Sequence, residues 1–333
     1  MKRFKPNYLV LLLAFAMPAV AEPLAYVPNE KSATITIIDT ANDQTRGQTP
    51  AGVRPRGIAA GADHLYLSDG KTGSLLIVDR RAGKLERSVP VGDSPEGVSL
   101  SGDGKLLAVA VEDDNSVVLL SAPQGKELAR IKVHGRNPEH AVFSPDGRWL
   151  YVSAEEAEQV DVIDVAQRRQ SGQIAVGKRP RGIAFLAARQ QVASIAVGKR
   201  PRGIAFLPDG SRAYVASEVA GKVYAINVAE RRVIAEITAG QYPNGVAVHP
   251  AGQRIFVSNG RDSSVMAIDT SSNTVVATVE VGKRPWNMAL TPDGSKLYVA
   301  NGRSNSVSVI DTASFKKLHD IEVGELPWGV SIR

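Results

Sequence analysis

A repeated unit of about 42 residues most restricts how this chain can fold. The segment VGKRPWNMALTPDGSKLYVANGRSNSVSVIDT at 281–312 has clear relatives at 239–270, 197–228 and 133–165, and weaker ones start at Val91 and Ala51. Spacings of 40, 43, 63, 42, 42 and 42 separate the prolines that mark the units, which are Pro55, Pro95, Pro138, Pro201, Pro243, Pro285 and Pro327. Such a period predicts the four-stranded blades of a β-propeller.

The pattern inside each unit favours strands and tight turns. Short runs such as Lys296–Asn301 and Ser306–Ile310 are rich in Val, Tyr and Ile, which suit a half-buried pleated surface. Pro-Asp-Gly turn signals separate the runs at 145–147, 208–210 and 292–294. An aspartate closes the third strand of several units, and we expect it to accept hydrogen bonds from its own turn; these are Asp39, Asp79, Asp164, Asp269 and Asp311.

The two ends of the chain together supply one more blade. Only WGVSIR follows Pro327, which is enough for one inner strand. Residues 24–40 match the second and third strands of a unit, and Asp43–Pro50 can supply the fourth. We therefore predict an all-β, seven-bladed propeller in a single domain at 22–333, with its last blade closed by N- and C-terminal strands.

Short motifs inside the units carry a family resemblance. YVAN at 298–301, followed by SNSVSVIDT, resembles the YVTN β-propeller repeat, with degenerate copies at 26–29, 151–154 and 214–217. The whole seven-repeat layout is similar to the propeller proteins associated with pyrroloquinoline quinone (PQQ)-dependent alcohol catabolism in bacteria. That resemblance implies a protein without an established activity that works beside periplasmic quinoprotein dehydrogenases and transport components.

The N-terminal segment reads as an export signal. Lys2, Arg3 and Lys5 precede an apolar run from Tyr8 to Met17, and Ala19-Val20-Ala21 follows. This pattern predicts a signal peptide at 1–21, cleaved before Glu22, and a periplasmic protein without a membrane span. Loss of its three cations lowers the formal charge from +6 to +3. With no cysteine, the exported protein must rely on its core for stability.

A duplicated half-unit explains the spacing of 63 residues. Residues 174–186 and 195–207 both read IAVGKRPRGIAFL, offset by half a blade. We expect Ile174–Val176 to complete the third blade and the second copy to form the inner strand of the fourth. About 177–194 then forms an insert between the blades.

The residue after each marker proline should lie at the mouth of the central channel, because a propeller's connectors converge there. With His140, these predicted ligand- or partner-binding residues are Arg56, Glu96, Glu139, Arg202, Asn244, Trp286 and Trp328. Trp286 and Trp328, with Arg56 next in the ring, could stack a planar or anionic ligand. The alternative is that both tryptophans only pack the top of the channel.

Charges in the second loops divide the same face. One loop position carries Lys31, Lys71, Arg261 and Arg303 in four blades. At or beside it, the other three blades carry Glu112, Asp113, Glu155, Glu156 and Glu218. A basic arc and an acidic arc would steer a charged protein partner. Solvated surface charge is the alternative.

These features predict a non-catalytic periplasmic binding or scaffold propeller, not an enzyme, with no cofactor and no metal. Its partner would be a periplasmic protein (a quinoprotein dehydrogenase or transport component) or a small ligand, and we expect a monomer. The alternative is a lactonase-like hydrolase or dehydrogenase subunit that uses Glu96, Glu139 and His140, which could also bind a divalent cation. A third hypothesis is nucleic-acid binding through 54–56, 199–202 and 283–285, which the acidic arc and export argue against.

Deletion of Lys178–Gly198 removes one copy of the duplication. We expect the deletion variant to keep its fold and gain about a kilocalorie per mole or two, because a long loop costs closure entropy and two identical strands no longer compete for one register. Urea unfolding of the variant and the parent chain measures this. A variant that fails to fold contradicts the prediction.

Overall fold

The computed structural model describes residues 23–177, 179–184 and 195–333, which form seven four-stranded antiparallel sheets. In chain order the strands are β1 (Leu24–Asn29), β2 (Thr34–Asp39), β3 (Gln44–Pro50), β4 (Pro55–Ala60), β5 (His64–Asp69), β6 (Ser74–Asp79), β7 (Lys84–Pro90), β8 (Pro95–Leu100), β9 (Leu106–Val111), β10 (Ser116–Ser121), β11 (Glu127–Lys132), β12 (Pro138–Phe143), β13 (Trp149–Ala154), β14 (Gln159–Asp164), β15 (Arg169–Ala175), β16 (Pro201–Phe206), β17 (Arg212–Ser217), β18 (Lys222–Asn227), β19 (Arg232–Thr238), β20 (Pro243–Val248), β21 (Arg254–Asn259), β22 (Ser264–Asp269), β23 (Thr274–Glu280), β24 (Pro285–Leu290), β25 (Lys296–Asn301), β26 (Ser306–Asp311), β27 (Lys316–Glu322) and β28 (Ser331–Ile332).

Each sheet is one blade, and strand order follows the chain. Blades 1 to 6 are β4–β7, β8–β11, β12–β15, β16–β19, β20–β23 and β24–β27, and blade 7 joins β28 to β1–β3. The first strand of each blade lies at the channel and the last lies at the rim. The predicted seven-bladed propeller is confirmed.

Burial explains why the middle strands are the most apolar. In blade 1, β5 and β6 are buried almost throughout, whereas β7 is mostly exposed. A strand packed on both faces needs apolar side chains on both. The cores lie between neighbouring blades, as where Leu107 and Val109 of blade 2 pack against Leu75 and Ile77 of blade 1.

Blade 7 closes the ring through β28. Ala25 and Tyr26 of β1 pair with Ile332 and Ser331 of β28, and the N–H of Trp328 donates to the carbonyl of Pro28 at 2.9 Å. The predicted composite blade is therefore present, with a C-terminal strand of only two residues.

The five aspartates predicted to close third strands accept hydrogen bonds from their own turns. Oδ1 of Asp79 accepts hydrogen bonds of 2.7 Å from the backbone N–H groups of Arg81 and Ala82. Oδ1 of Asp269 likewise accepts from the N–H groups of Ser271 and Ser272, and these bonds, with that of the Ser271 hydroxyl, lower the pKa of Asp269 to about 2.

Two sequence predictions fall partly or wholly outside the described residues. The signal peptide at 1–21 is one, and Lys178 with residues 185–194 of the expected insert is the other. Both stay predictions. Among the described residues, no helix has the length and apolar character needed to cross a bilayer.

A buried polar contact ties blade 6 to blade 7. The hydroxyl of Tyr298 donates a hydrogen bond to Asp43, and Nζ of Lys296 lies 2.8 Å from Oδ2 of the same carboxylate. Burial, and then the bond to Asp43, raise the pKa of Tyr298, so the group stays a hydroxyl donor.

The variant Tyr298→Phe tests how much this contact stabilises the closed ring. We expect a loss of about 1–2 kcal/mol in the free energy of unfolding, because the bond to a charged carboxylate is removed while Lys296 still pairs with Asp43. Urea unfolding gives the value. Tyr242→Phe is the control, since that ring stacks under Arg261, and equal stability of the two variants would contradict the assignment.

Candidate functional site

A cavity of about 670 Å³ occupies the mouth of the central channel, a volume typical of small-ligand sites. All eight residues predicted to lie there line it: Arg56, Glu96, Glu139, His140, Arg202, Asn244, Trp286 and Trp328. The repeat brings them together because each follows, or nearly follows, its blade's marker proline.

Close backbone contacts fix these residues at the mouth. The hydroxyl of Ser68 donates to the carbonyl of Glu96 in the next blade at 2.5 Å and accepts from the N–H of Gly57 at 2.9 Å. A Cβ at Gly57 would stand 2.4 Å from that carbonyl oxygen, so only glycine fits. The mouth is consequently built on backbone held at van der Waals distance from blade to blade.

Arg56 bridges two buried carboxylates. Its guanidinium pairs with Glu96, and its Nε lies 3.3 Å from Glu30, which also accepts from Nε of Arg54 at 2.6 Å. Burial raises the pKa of Glu96, and the charge of Arg56 offsets part of that rise. The guanidinium of Arg56 is thus already paired with protein carboxylates.

Glu139 and Glu155 form a second buried acidic pair, with side chains 6% and 2% exposed. Arg181 contacts both, at 2.8 Å from Glu139, and NH2 of Arg179 lies 2.6 Å from Glu155. Burial, and then the hydrogen bond with Glu155, raise the pKa of Glu139 to about 8. Although burial acts the other way, hydrogen bonds with Glu139 and Arg181 lower the pKa of Glu155. At neutral pH the pair therefore holds one proton, on Glu139.

His140 stands beside this pair as a neutral imidazole. Burial, and then the charge of Arg181, lower its pKa to about 4. Its Nδ1 is buried and has no hydrogen-bond partner among the described residues. This nitrogen is free to form a hydrogen bond with a ligand or a water in the cavity.

The opposite side of the mouth combines aromatic rings with a cation. Trp286 and Trp328 meet edge to face with centroids 6.3 Å apart, and the guanidinium of Arg284 lies 5.0 Å from the Trp286 centroid. No carboxylate of the described residues lies within ion-pair distance of Arg284. Burial, and then Arg303 and Arg261, lower its pKa. The cation beside the tryptophans is therefore Arg284, where the sequence had suggested Arg56.

The expected acidic arc is exposed only in part, because Asp113 and Glu156 are exposed whereas its other three members are buried or half-buried. Glu155 and Glu218 are buried, and Glu218 pairs with Arg202 and Arg200. Glu112 accepts hydrogen bonds from Ser94 and Asn137. Glu155 and Glu218 therefore neutralise arginines within the mouth, whereas the hydrogen-bond partners of Glu112 are the neutral groups of Ser94 and Asn137.

The predicted basic positions lie outside the cavity wall. Lys31 pairs with Glu325 at 2.6 Å, the Arg261 guanidinium lies 4.0 Å from the Tyr242 ring centroid, and Lys71 and Arg303 do not line the cavity. Of the three segments considered for nucleic-acid binding, 54–56 and 199–202 have their arginines paired with carboxylates. Arg284 of the segment 283–285 instead lies over the ring of Trp286.

The mouth does not fit the divalent cation considered for Glu96, Glu139 and His140. The guanidinium groups of Arg56 and Arg181 already stand against the two carboxylates. In the described part of the chain, no group of three or more His, Cys, Asp or Glu side chains could hold a metal ion.

Sequence reasoning missed three arginines that line the cavity, Arg54, Arg181 and Arg284. The signal was available, because each stands next to a proline in a connector. Arg181 is also the counterpart of Arg202 in the first copy of the duplication.

Solved structures of low sequence identity share the fold. Hydrazine synthase of Kuenenia stuttgartiensis matches at 21% identity and a TM-score of 0.68, over 92% of this chain and 99% of that one. Dihydro-heme d1 dehydrogenase NirN in complex with DHE matches at 15% and 0.78, over 96% and 77%. A candidate 6-phosphogluconolactonase from Bacteroides uniformis matches at 18% and 0.68, over 94% and 100%. Among curated proteins, none matches significantly.

A family model gives a more specific result. The model described as "Lactonase, 7-bladed beta-propeller" matches residues 13–176 and 181–322, which is most of the chain. Our expectation of a non-catalytic binding or scaffold module, and of a protein that is not an enzyme, is wrong, because the matching family is named for hydrolysis of lactones. The predicted alternative, a lactonase-like propeller, agrees with this match. The chain belongs to the seven-bladed β-propeller lactonase family.

Proposed function

We propose that this protein hydrolyses a lactone, a cyclic ester, at the channel mouth. The observation that carries the proposal is a pair of buried carboxyl groups, Glu96 and Glu139, which line one cavity and each contact an arginine. The family match supports the reaction class. Ester hydrolysis needs one group that accepts a proton from water and one that donates a proton to the leaving oxygen.

The two environments assign the two roles. Glu96 pairs with the guanidinium of Arg56, whose charge favours the carboxylate form, so we assign Glu96 to accept the proton of an attacking water. Glu139 keeps its proton to about pH 8 and can donate it. Two carboxyl groups with different surroundings commonly divide acid and base roles in this way.

The reaction then balances without another reagent. Water adds to the acyl carbon as Glu96 takes its proton, and the carbonyl oxygen gains negative charge. The guanidinium group of Arg202 in the cavity wall stabilises that charge. The bond between the acyl carbon and the ring oxygen breaks, Glu139 protonates the ring oxygen, and a hydroxy acid leaves. Proton exchange with solvent restores both carboxyl groups.

The tryptophan pair gives the site an apolar wall. Faces of Trp286 and Trp328 suit the C–H face of a saturated ring, and Arg284 beside them suits a polar substituent. We therefore place the substrate ring against the tryptophans and its ester group toward Glu96 and Glu139.

We also propose a setting for the reaction. The N-terminal segment predicts export, and the resemblance to PQQ-associated propeller proteins supports a setting beside PQQ-dependent dehydrogenases. Oxidation of a cyclic hemiacetal yields a lactone, so a quinoprotein dehydrogenase would supply substrate in the periplasm. This partner system rests on the sequence resemblance alone.

Hydrolysis of a panel of five- and six-membered lactones, including glucono-δ-lactone, tests the proposal. Release of acid is followed with a pH indicator, and the spontaneous rate is subtracted. We expect turnover by the purified protein, with Glu96→Gln and Glu139→Gln each lowering kcat about 10²- to 10⁴-fold. The rate should fall as the pH rises through about 8, where Glu139 loses its proton.

Glu322→Gln is the matched control, because this glutamate is exposed on the outer strand of blade 6. It should retain the parent activity. No turnover above the spontaneous rate with any member of the panel would refute the proposed function. Full activity in Glu139→Gln would refute the role given to Glu139.

The protonation of Glu139 also has a consequence for stability. Between about pH 4.5 and 8 this glutamate is ionised in the unfolded chain but protonated in the folded one, so rising pH favours unfolding. In Glu139→Gln that loss is absent, since the amide can still donate to Glu155. From pH 5 to 8 the parent should lose about 2–4 kcal/mol relative to this variant in urea unfolding. A parallel pH dependence of the two proteins would show that Glu139 titrates normally.

A further inference from the structure

Eight equivalent connector positions surround the mouth of this seven-bladed ring. Seven are the residues that follow the marker prolines, and the eighth is Arg181 in the first copy of the duplicated segment. In regular blades a serine of the second strand donates to the carbonyl that follows the next marker proline, as Ser258 does to Trp286 at 2.6 Å. A glycine of the inner strand packs on the same kind of carbonyl. A Cβ at Gly97 would lie 2.7 Å from the Glu139 oxygen, and one at Gly203 would lie 2.4 Å from the Asn244 oxygen.

The first copy of the duplicated segment fills one of these places. Ser153 of blade 3 donates at 2.9 Å to the carbonyl of Arg181, and a Cβ at Gly182 would lie 2.1 Å from the carbonyl oxygen of Arg202. Arg179 has φ of 55°, beside 61° for Arg200 and 55° for Arg284 at the matching positions. Residues 179–184 therefore adopt the same connector geometry as the seven regular positions, although they belong to none of the seven blades.

The hydrophobic packing between blades 3 and 4 supports this position of the first copy. Core clusters at the other boundaries combine residues of two neighbouring blades, as where Tyr214 and Ile255 meet between blades 4 and 5. At the boundary of blades 3 and 4, the described cluster contains only residues of blade 4 and of the second copy, such as Val215 and Ile195. A position of the first copy between blades 3 and 4 accounts for this difference.

We propose that the duplicated half-repeat is a working part of the site, in which Arg181 is the positioning residue for the Glu139 carboxyl. The inference rests on the role given above to Glu139. The guanidinium reaches Glu139 and Glu155 at once, and Arg179 of the same segment holds Glu155 from its other side. The first copy thus supplies both arginines that contact Glu139 and Glu155. The second copy supplies the arginines that pair with Glu218.

The groups that face Glu139 come from three elements. Glu155 belongs to the same blade, Glu96 to blade 2, and Arg181 to the inserted segment, while neutral His140 follows Glu139 in β12. Two carboxylates favour the protonated form of Glu139, and Arg181 alone among these groups favours the ionised form. Loss of Arg181 should consequently make Glu139 hold its proton more tightly.

Carbon-13 NMR titration of the full chain, labelled at the glutamate side-chain carboxyl carbon, measures this without requiring turnover. The Glu139 signal is assigned by its absence in Glu139→Gln. In Arg181→Gln we expect the titration midpoint to move upward by about one pH unit or more. Arg181→Lys, which keeps the charge but loses the planar fork, should fall between the two. Arg232→Gln, at an exposed ion pair with Glu230, should match the parent.

Deletion of Lys178–Gly198 provides a second variant. The deletion brings the identical second copy directly after blade 3, so Arg202 should take the place of Arg181 and restore the parent midpoint. An unchanged midpoint in Arg181→Gln overturns the positioning role. A deletion midpoint equal to that of Arg181→Gln overturns the equivalence of the two copies. Failure of lactone hydrolysis would refute the proposed function and leave both titration results intact.

Discussion

The face-to-face packing of neighbouring blades is the constraint on which the rest of this structure depends. Strands such as β5 and β6 are apolar on both faces and can be covered only by the blades on either side. The ring must therefore close, and two residues of β28 paired with β1 complete the last blade. Closure draws every connector to one channel mouth, where backbone contacts as tight as that of Gly57 with Glu96 leave little freedom.

Because the connectors converge, charged side chains lie close together and buried at the channel mouth. Ion pairs such as Arg56 with Glu96 compensate the cost of burying each charge. The Glu139–Glu155 pair lowers its own cost by keeping one proton, which makes an ordinary glutamate into an acid near neutral pH. The raised pKa of Glu139 arises first from burial, which no sequence motif marks.

This explains what the sequence could predict. The repeat period determines blade number and the position after each marker proline, so all eight expected mouth residues line one cavity. Cross-blade side-chain contacts, such as Arg56 with Glu30, depend on conformations that a period does not encode. The half-repeat was interpreted as a loop because half a blade has no complete sheet, yet a connector needs no sheet to occupy the mouth. The lack of a catalytic motif was likewise taken as a lack of catalysis, which the family match corrects.

Isotope labelling tests the central claim, that water attacks an acyl carbon at the channel mouth, most directly. The purified protein would hydrolyse glucono-δ-lactone in water enriched in oxygen-18. The product would be analysed by mass spectrometry, with the same reaction without protein as the control. The account predicts an accelerated reaction that places one labelled oxygen in the new carboxylate and none in the new hydroxyl. A rate equal to the spontaneous one, or label in the hydroxyl, would contradict it.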